Sequence, residues 1–228
     1  RLVYAGELTV VIGSGGRRLR GEASAAAIGG YTIGNDVSMR GWQGRTSEWT
    51  QGKAWEASPP VGPWVVTPDE FPDGARLTTA VNGEVVQDAP TSDLVFTPVD
   101  LVEYLSAMIT LEPGDLIMTG TTAGVALGRR NEAGRHPWLK TGDVVEVTIE
   151  GLGSQRPEVR GPDRVRHPSE PAPHSTQSPP RSTGRRADRG AARNGIARRV
   201  LGIRGRPGCR VNVSIHREDR PGARHQMQ

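Results

Sequence analysis

The chain has 228 residues, 35% hydrophobic and 24% charged, enough for one medium domain with a core or for a smaller domain carrying an appendage. Its formal charge of +4 conceals a division: residues 1–154 hold 12 Lys and Arg against 19 Asp and Glu, whereas residues 155–228 hold 17 against 6. The single cysteine, Cys209, excludes an intrachain disulfide and a Cys-based zinc cluster, and no apolar run approaches the roughly 18 residues that span a bilayer, so a reducing, cytoplasmic setting is expected.

The chain opens on Arg1 and enters a strand almost at once, with no charged-then-apolar leader, so an N-terminal portion is expected to be absent. Residues 7–13, Glu-Leu-Thr-Val-Val-Ile-Gly, are rich in β-branched side chains and stop at a Gly-Ser-Gly-Gly turn, which predicts a buried strand. That turn lacks the GxGxxG spacing and a long following helix, which argues against a phosphate cradle. Glu22 to Ile28 predicts a short Ala-rich helix ending at Gly29-Gly30, and Tyr31 to Val37 predicts a strand with Asp36 near its end.

Ala75 to Val81, Asn82-Gly83 and Glu84 to Gln87 read as a hairpin, since Asn-Gly supplies positive φ at both turn positions. Pro98 occupies the first position of a helix carrying Leu101, Leu105 and Met108 at helical spacing. Leu116 to Met118 leads into Thr119-Gly120-Thr121, and Thr141-Gly142-Asp143 turns into a last strand, Val144 to Ile149. Many short strands and few helices predict one α+β, mainly β domain over residues 1–154.

Residues 155–228 obey none of these patterns. They contain no Phe, Tyr, Trp or Lys but abundant Arg, Pro, Gly, Ala and His, and such a segment buries too little apolar area to offset its ordering entropy, so disorder is expected. A genuine Arg-rich nucleic-acid arm and a GC-rich gene read out of frame both fit. The second is favoured, because a selected arm mixes Lys with Arg and adds aromatics for stacking.

The chemistry lies in the body. Glu7 and Asp36 are acids on apolar strands, where an unpaired carboxylate costs several kcal/mol unless a cation balances it. The cation is either a metal ion or Lys53, and a Lys-Asp pair that merely fixes the fold is the competing reading. Arg40 and Gln43 follow Asp36 by four and seven residues, as suits a loop lining one pocket. His136 is the one histidine within residues 1–154 and reads as a solvent-exposed loop residue among Arg130, Asn131 and Arg135. Trp42, Trp49, Trp55 and Trp64 are expected to pack against the loops around the site, with Trp42 a candidate for its wall.

Residues 31–40 (YTIGNDVSMR), 51–53 (QGK), 60–63 (PVGP), 81–87 (VNGEVVQ) and 111–121 (LEPGDLIMTGT), in this order, resemble the fumarylacetoacetate hydrolase family. The resemblance runs from Tyr4 to Gly153. It implies a mixed β-roll catalytic domain, homodimeric, in which Mg2+, Mn2+ or Ca2+ on carboxylates activates 2-oxo or β-diketo acids. The family's reactions are C–C hydrolysis of acylpyruvates, decarboxylation of oxaloacetate and isomerisation of muconate-type diacids in aromatic catabolism.

Carried over by position, Glu7 and Asp36 resemble metal ligands, Lys53 the lysine beside the metal, Arg40 and Gln43 substrate-facing groups, and Thr121 a hydroxyl for catalysis and for the substrate carboxylate. Thr122 stands where many members have proline. Ala5 stands where the first Glu of the Glu-x-Glu ligand pair is expected, and the family's His-Glu lid would lie upstream of this chain. A non-catalytic member that keeps the fold is therefore a second reading, and nucleic-acid binding through the tail a third.

Overall fold

The computed structural model describes residues 1–161. The expectation placed on residues 155–228 lies, from residue 162 onward, outside the described residues.

Strand β1 (Leu2–Val3) pairs with β4 (Ser38–Met39) in a two-stranded ribbon. Strand β2 (Gly6–Ile12) is the centre of an antiparallel sheet, flanked by β3 (Ile28–Asn35) and β7 (Leu116–Met118). A second antiparallel sheet holds, in spatial order, β6 (Glu84–Pro90), β5 (Arg76–Val81), β8 (Val145–Ile149) and β9 (Gly153–Gln155). Helix α1 (Glu22–Ala27) and the longer α4 (Pro98–Met108) lie against each other, while the one-turn helices α2 (Arg40–Gln43) and α3 (Thr50–Lys53) follow β4. The result is the α+β, mainly β domain that the residue pattern predicts. No helix among the described residues is long and apolar enough to cross a membrane.

Side chains alternate across a strand, so the register of β2 on β3 sorts its residues into two faces. Leu8, Val10 and Ile12 share one face, where Leu8 opposes Ile33 and Val10 opposes Tyr31. Leu8 and Ile33 pack with Leu77, Val145, Val147 and Ile149 of the larger sheet. Val10, Ile12 and Ile117 pack on Ala27 of α1 and on Leu101, Val102 and Leu105 of α4. Each of the Val, Leu and Ile side chains contributes about 1.5–3 kcal/mol by leaving water.

The other face of β2 is buried but polar. Glu7 and Thr9 both have no exposed surface, and they oppose Gly34 and Thr32. A Cβ on Gly34 would meet Thr9 Oγ1 at 2.3 Å, so glycine is what lets β3 lie this close.

The helix expected over Glu22 to Ile28 ends at Ala27, and β3 starts at Ile28 rather than Tyr31. Gly29 and Gly30 are strand residues, not a helix cap, because the chain is crowded there. A Cβ on Gly29 would lie 2.7 Å from Gly13 Cα, and one on Gly30 would lie 2.5 Å from Val66 O. The Asn-Gly hairpin turn has φ of 52° at Asn82 and 87° at Gly83, as its sequence requires. A capping box closes the start of α4, with Thr97 and Asp100 exchanging side-chain and backbone bonds.

Candidate active site

Four elements converge on the polar face. Glu7 is the second residue of β2, Asp36 directly follows β3, Lys53 closes α3, and residues 119–121 follow β7. Glu7 Oε2 accepts the Gly120 N–H at 2.9 Å, whereas Oε1 is buried with no hydrogen-bond partner among the described residues. Burial pushes the Glu7 carboxyl up to about 8, the Asp36 charge adds to the rise, and the Gly120 N–H and the Lys53 ammonium oppose it. Asp36 is 1% exposed and takes a charge-assisted bond from Lys53 Nζ, whose side chain is 12% exposed.

One backbone and one side-chain hydrogen bond tie this corner to residue 5. Ala5 O accepts the Asp36 N–H at 2.8 Å, and Asn35 Oδ1 accepts the Ala5 N–H at 2.9 Å. Ala5 lies directly before β2, two residues from Glu7 and hydrogen-bonded to Asp36, and it is the position at which the family resemblance leads one to expect a further carboxylate. Ala5 is buried and puts a methyl there. Accordingly, no group of three or more metal-type side chains exists among the described residues.

Arg40 opens α2 and donates its backbone N–H to Arg1 O at 2.9 Å. Its guanidinium is held below the ordinary arginine range by burial, against the charge of Asp36, and its Nε is buried without an acceptor among the described residues. Gln43, 3% exposed, has an unpartnered buried Oε1 and packs against Gly52, where a Cβ would meet its own Cβ at 2.6 Å.

Both side chains line a cavity of about 1200 Å³, which does not include Glu7, Asp36, Lys53 or Thr121. Thr121 instead lines a separate cavity of about 560 Å³ with Leu8, Thr119, Gly120 and Phe96. Its hydroxyl donates to Gly6 O at 2.9 Å and accepts from Gln87 Nε2 at 2.8 Å, so its single proton is committed to the backbone beside Glu7.

Gln87 and Asn35 are the members that residue-pattern reasoning misses. Gln87, 2% exposed, also accepts the Gly6 N–H at 3.0 Å and donates to Thr122 O at 3.0 Å, so one amide locks the start of β2 to the turn after β7. His136 is partly buried rather than exposed, its ring 4.6 Å from Trp138, and it lines the cavity of Arg40 and Gln43. Trp42 meets Trp55 edge-on at 5.3 Å, and the Arg45 guanidinium lies 3.5 Å over the Trp42 ring.

The model of the fumarylacetoacetate (FAA) hydrolase C-terminal domain matches residues 1–160. Over 156 residues the chain is 42% identical to 2,4-didehydro-3-deoxy-L-rhamnonate hydrolase of a Sphingomonas strain, covering 67% of this chain and 54% of the relative. The chain thus spans about half the length of the curated relatives it matches. A crystal structure of 5-carboxymethyl-2-hydroxymuconate delta-isomerase from Mycobacterium smegmatis is 39% identical, with a TM-score of 0.62 and coverage of 71% of this chain and 60% of that one. Fumarylpyruvate hydrolase from Pseudomonas aeruginosa, in complex with Mn2+ and pyruvate, is 31% identical with a TM-score of 0.61, covering 70% and 66%.

Proposed function

The chain belongs to the fumarylacetoacetate hydrolase family, and we propose that its polar face is the electrophilic half of a hydrolase or isomerase acting on 2-oxo or β-diketo acids in aromatic-compound catabolism. The observation that carries this reading is Glu7, a carboxylate on the central strand with one oxygen bonded and the other orphaned, facing the charge of Asp36. Two buried carboxylates repel unless a cation joins them, and a buried carboxylate oxygen with no hydrogen-bond partner suits a hard cation. The donor set therefore fits a divalent ion, Mg2+ or Mn2+, at two points, Glu7 and Asp36. When bound there, it supplies Lewis-acid polarisation of a 2-oxo carbonyl and its neighbouring carboxylate.

The chain's own groups perform the rest. Lys53 presents an ammonium at Asp36, where negative charge on an enolate oxygen is stabilised. Arg40 and Gln43 offer donors toward the substrate's carboxylate, and Thr121, held by Gln87, fixes the turn that binds Glu7. The Mn2+ and pyruvate in the fumarylpyruvate hydrolase relative, and the names hydrolase and isomerase among the relatives, support this class. The protein is read as a cytoplasmic homodimer on the same family grounds.

The test is Mn2+ titration calorimetry of the full chain, with turnover of an acylpyruvate and of oxaloacetate measured alongside. Binding and turnover that Asp36→Ala abolishes support the site; turnover indifferent to that change removes it.

Ala5 favours a second reading, a non-catalytic member that keeps the fold. That reading expects a folded chain with no measurable Mn2+ affinity until Ala5→Glu is made. Oxaloacetate decarboxylation is the alternative activity within the family, and the paired turnover assay separates it from C–C hydrolysis.

A further inference from the structure

The loop before β8 carries a charge pattern that the proposed reaction does not use. Asn131 closes it: Asn131 N donates to Arg135 O at 2.8 Å, Gly134 N to Asn131 O at 2.8 Å, and Arg135 N to Asn131 Oδ1 at 2.9 Å. This clasp brings Arg130 and Arg135 to the two ends of one tight turn. Arg130 Nη1 is fixed by Arg129 O at 3.1 Å and by His136 Nδ1 at 2.5 Å, and its other guanidinium nitrogens have no partner among the described residues. Arg130, Arg135 and Lys140 all face the cavity of about 1200 Å³ that also takes in Arg40 and Gln43.

Among the described residues, one carboxylate faces these charges in that wall. Among the described residues none of the three cations forms an ion pair, whereas the adjacent Arg129 pairs with Glu84 at 2.5 Å. That carboxylate is Asp143, whose oxygens accept from Asn82 Nδ2 at 2.9 Å and from Lys140 N at 2.7 Å. Three like charges around one concave space repel one another and focus a positive potential into it. A guanidinium with free nitrogens takes a carboxylate in two parallel bonds. Arg40, which lines the same cavity, sits against the charge of Asp36, and its Nε–H is buried with no acceptor among the described residues.

We propose that Arg130, Arg135 and Lys140 form an anion subsite for the far carboxylate of an elongated dicarboxylic substrate, whose reacting end passes Arg40 toward Asp36. The inference rests on the 2-oxo acid reading above and names the residues that select for a second charge.

Trp49 and Trp138 line the same cavity and report on its contents by fluorescence. The full chain, freed of metal with a chelator, is titrated with glutarate, butyrate and inorganic phosphate, and the titrations are repeated on Arg130→Gln/Arg135→Gln. The basic tail is identical in both proteins, so anion binding by the tail cancels. Glutarate binding at least tenfold tighter than butyrate, weakened at least tenfold in the double variant and retained in Arg130→Lys, supports the subsite. Equal binding of glutarate and butyrate, or a double variant that binds glutarate as the parent does, overturns it. Phosphate binding tighter than glutarate overturns the carboxylate assignment.

Asp36→Asn separates the two readings. Glutarate discrimination in a parent chain that binds no Mn2+, or Mn2+ binding unchanged by Asp36→Asn, condemns the metal site alone, and Mn2+ binding that Asp36→Asn abolishes, without glutarate discrimination in the parent, condemns the subsite alone.

Discussion

The amide of Gln87 donates to the hydroxyl of Thr121 at 2.8 Å across 34 residues of chain. Through its other atom Gln87 holds Gly6 N–H, one residue before Glu7, so the hairpin acts on the acid site without touching it. Replacing Gln87 with Leu leaves the Gly6 N–H buried without an acceptor, which costs about 1–3 kcal/mol for that donor alone. Urea denaturation is expected to register at least that loss. Gln87→Glu should fail to rescue it, because a carboxylate oxygen would then face Thr122 O.

Lys53→Met removes the cation from two buried carboxylates. Breaking a buried pair by deleting one partner costs about 3–5 kcal/mol, and Asp36→Asn is expected to recover part of that loss when combined with it. A double-mutant cycle in thermal or urea unfolding measures the coupling. Strictly additive effects would show that the two side chains do not interact in solution.

Glu7 makes the metal-free protein sensitive to pH. Its folded carboxyl titrates near 8 against an ordinary 4.5, so between those values the unfolded chain releases a proton that the folded chain keeps. The stabilisation is complete below about 4.5 and is lost as pH rises through 8, with a slope of at most about 1.4 kcal/mol per pH unit. Glu7→Gln should flatten this slope between pH 5 and 8, measured as unfolding midpoints in chelator.

Ala5→Glu adds a third carboxylate at the corner beside Glu7 and Asp36. Charge count tunes oxygen-ligand sites over several decades of affinity, so Mn2+ binding is expected to tighten on the order of tenfold or more. Calorimetry in parallel with the parent chain checks it, and an unchanged or weaker constant would mean that residue 5 does not reach the ion.

The acids were the most legible part of the site, because Glu7 and Asp36 interrupt runs of β-branched and apolar residues and a sequence cannot hide that cost. Lys53 was legible as a candidate cation for Asp36 and Arg40 by its spacing from Asp36, whereas the role given to Thr121 came with the family resemblance. Gln87 was not legible: polar residues in a hairpin read as a solvated face, and only the register shift between Thr79 and Ala80 sets Gln87 inward opposite Thr79. Gly29-Gly30 misled for a related reason. The pair resembles a helix stop, yet its need for glycine comes from Gly13 and Val66, chain segments distant in sequence. The clasp at Asn131 likewise depends on a loop conformation that residue order alone does not specify.

Strand β2 has hydrogen-bonded neighbours on both sides, β3 and β7, and Glu7 rides on it. Amides on such a strand exchange with deuterium only when the whole sheet opens, whereas those at fraying edges exchange through small excursions. The backbone that carries Glu7 therefore parts from β3 only with the sheet. A lesion in the three strands that eases opening of the sheet also eases separation of the acid pair.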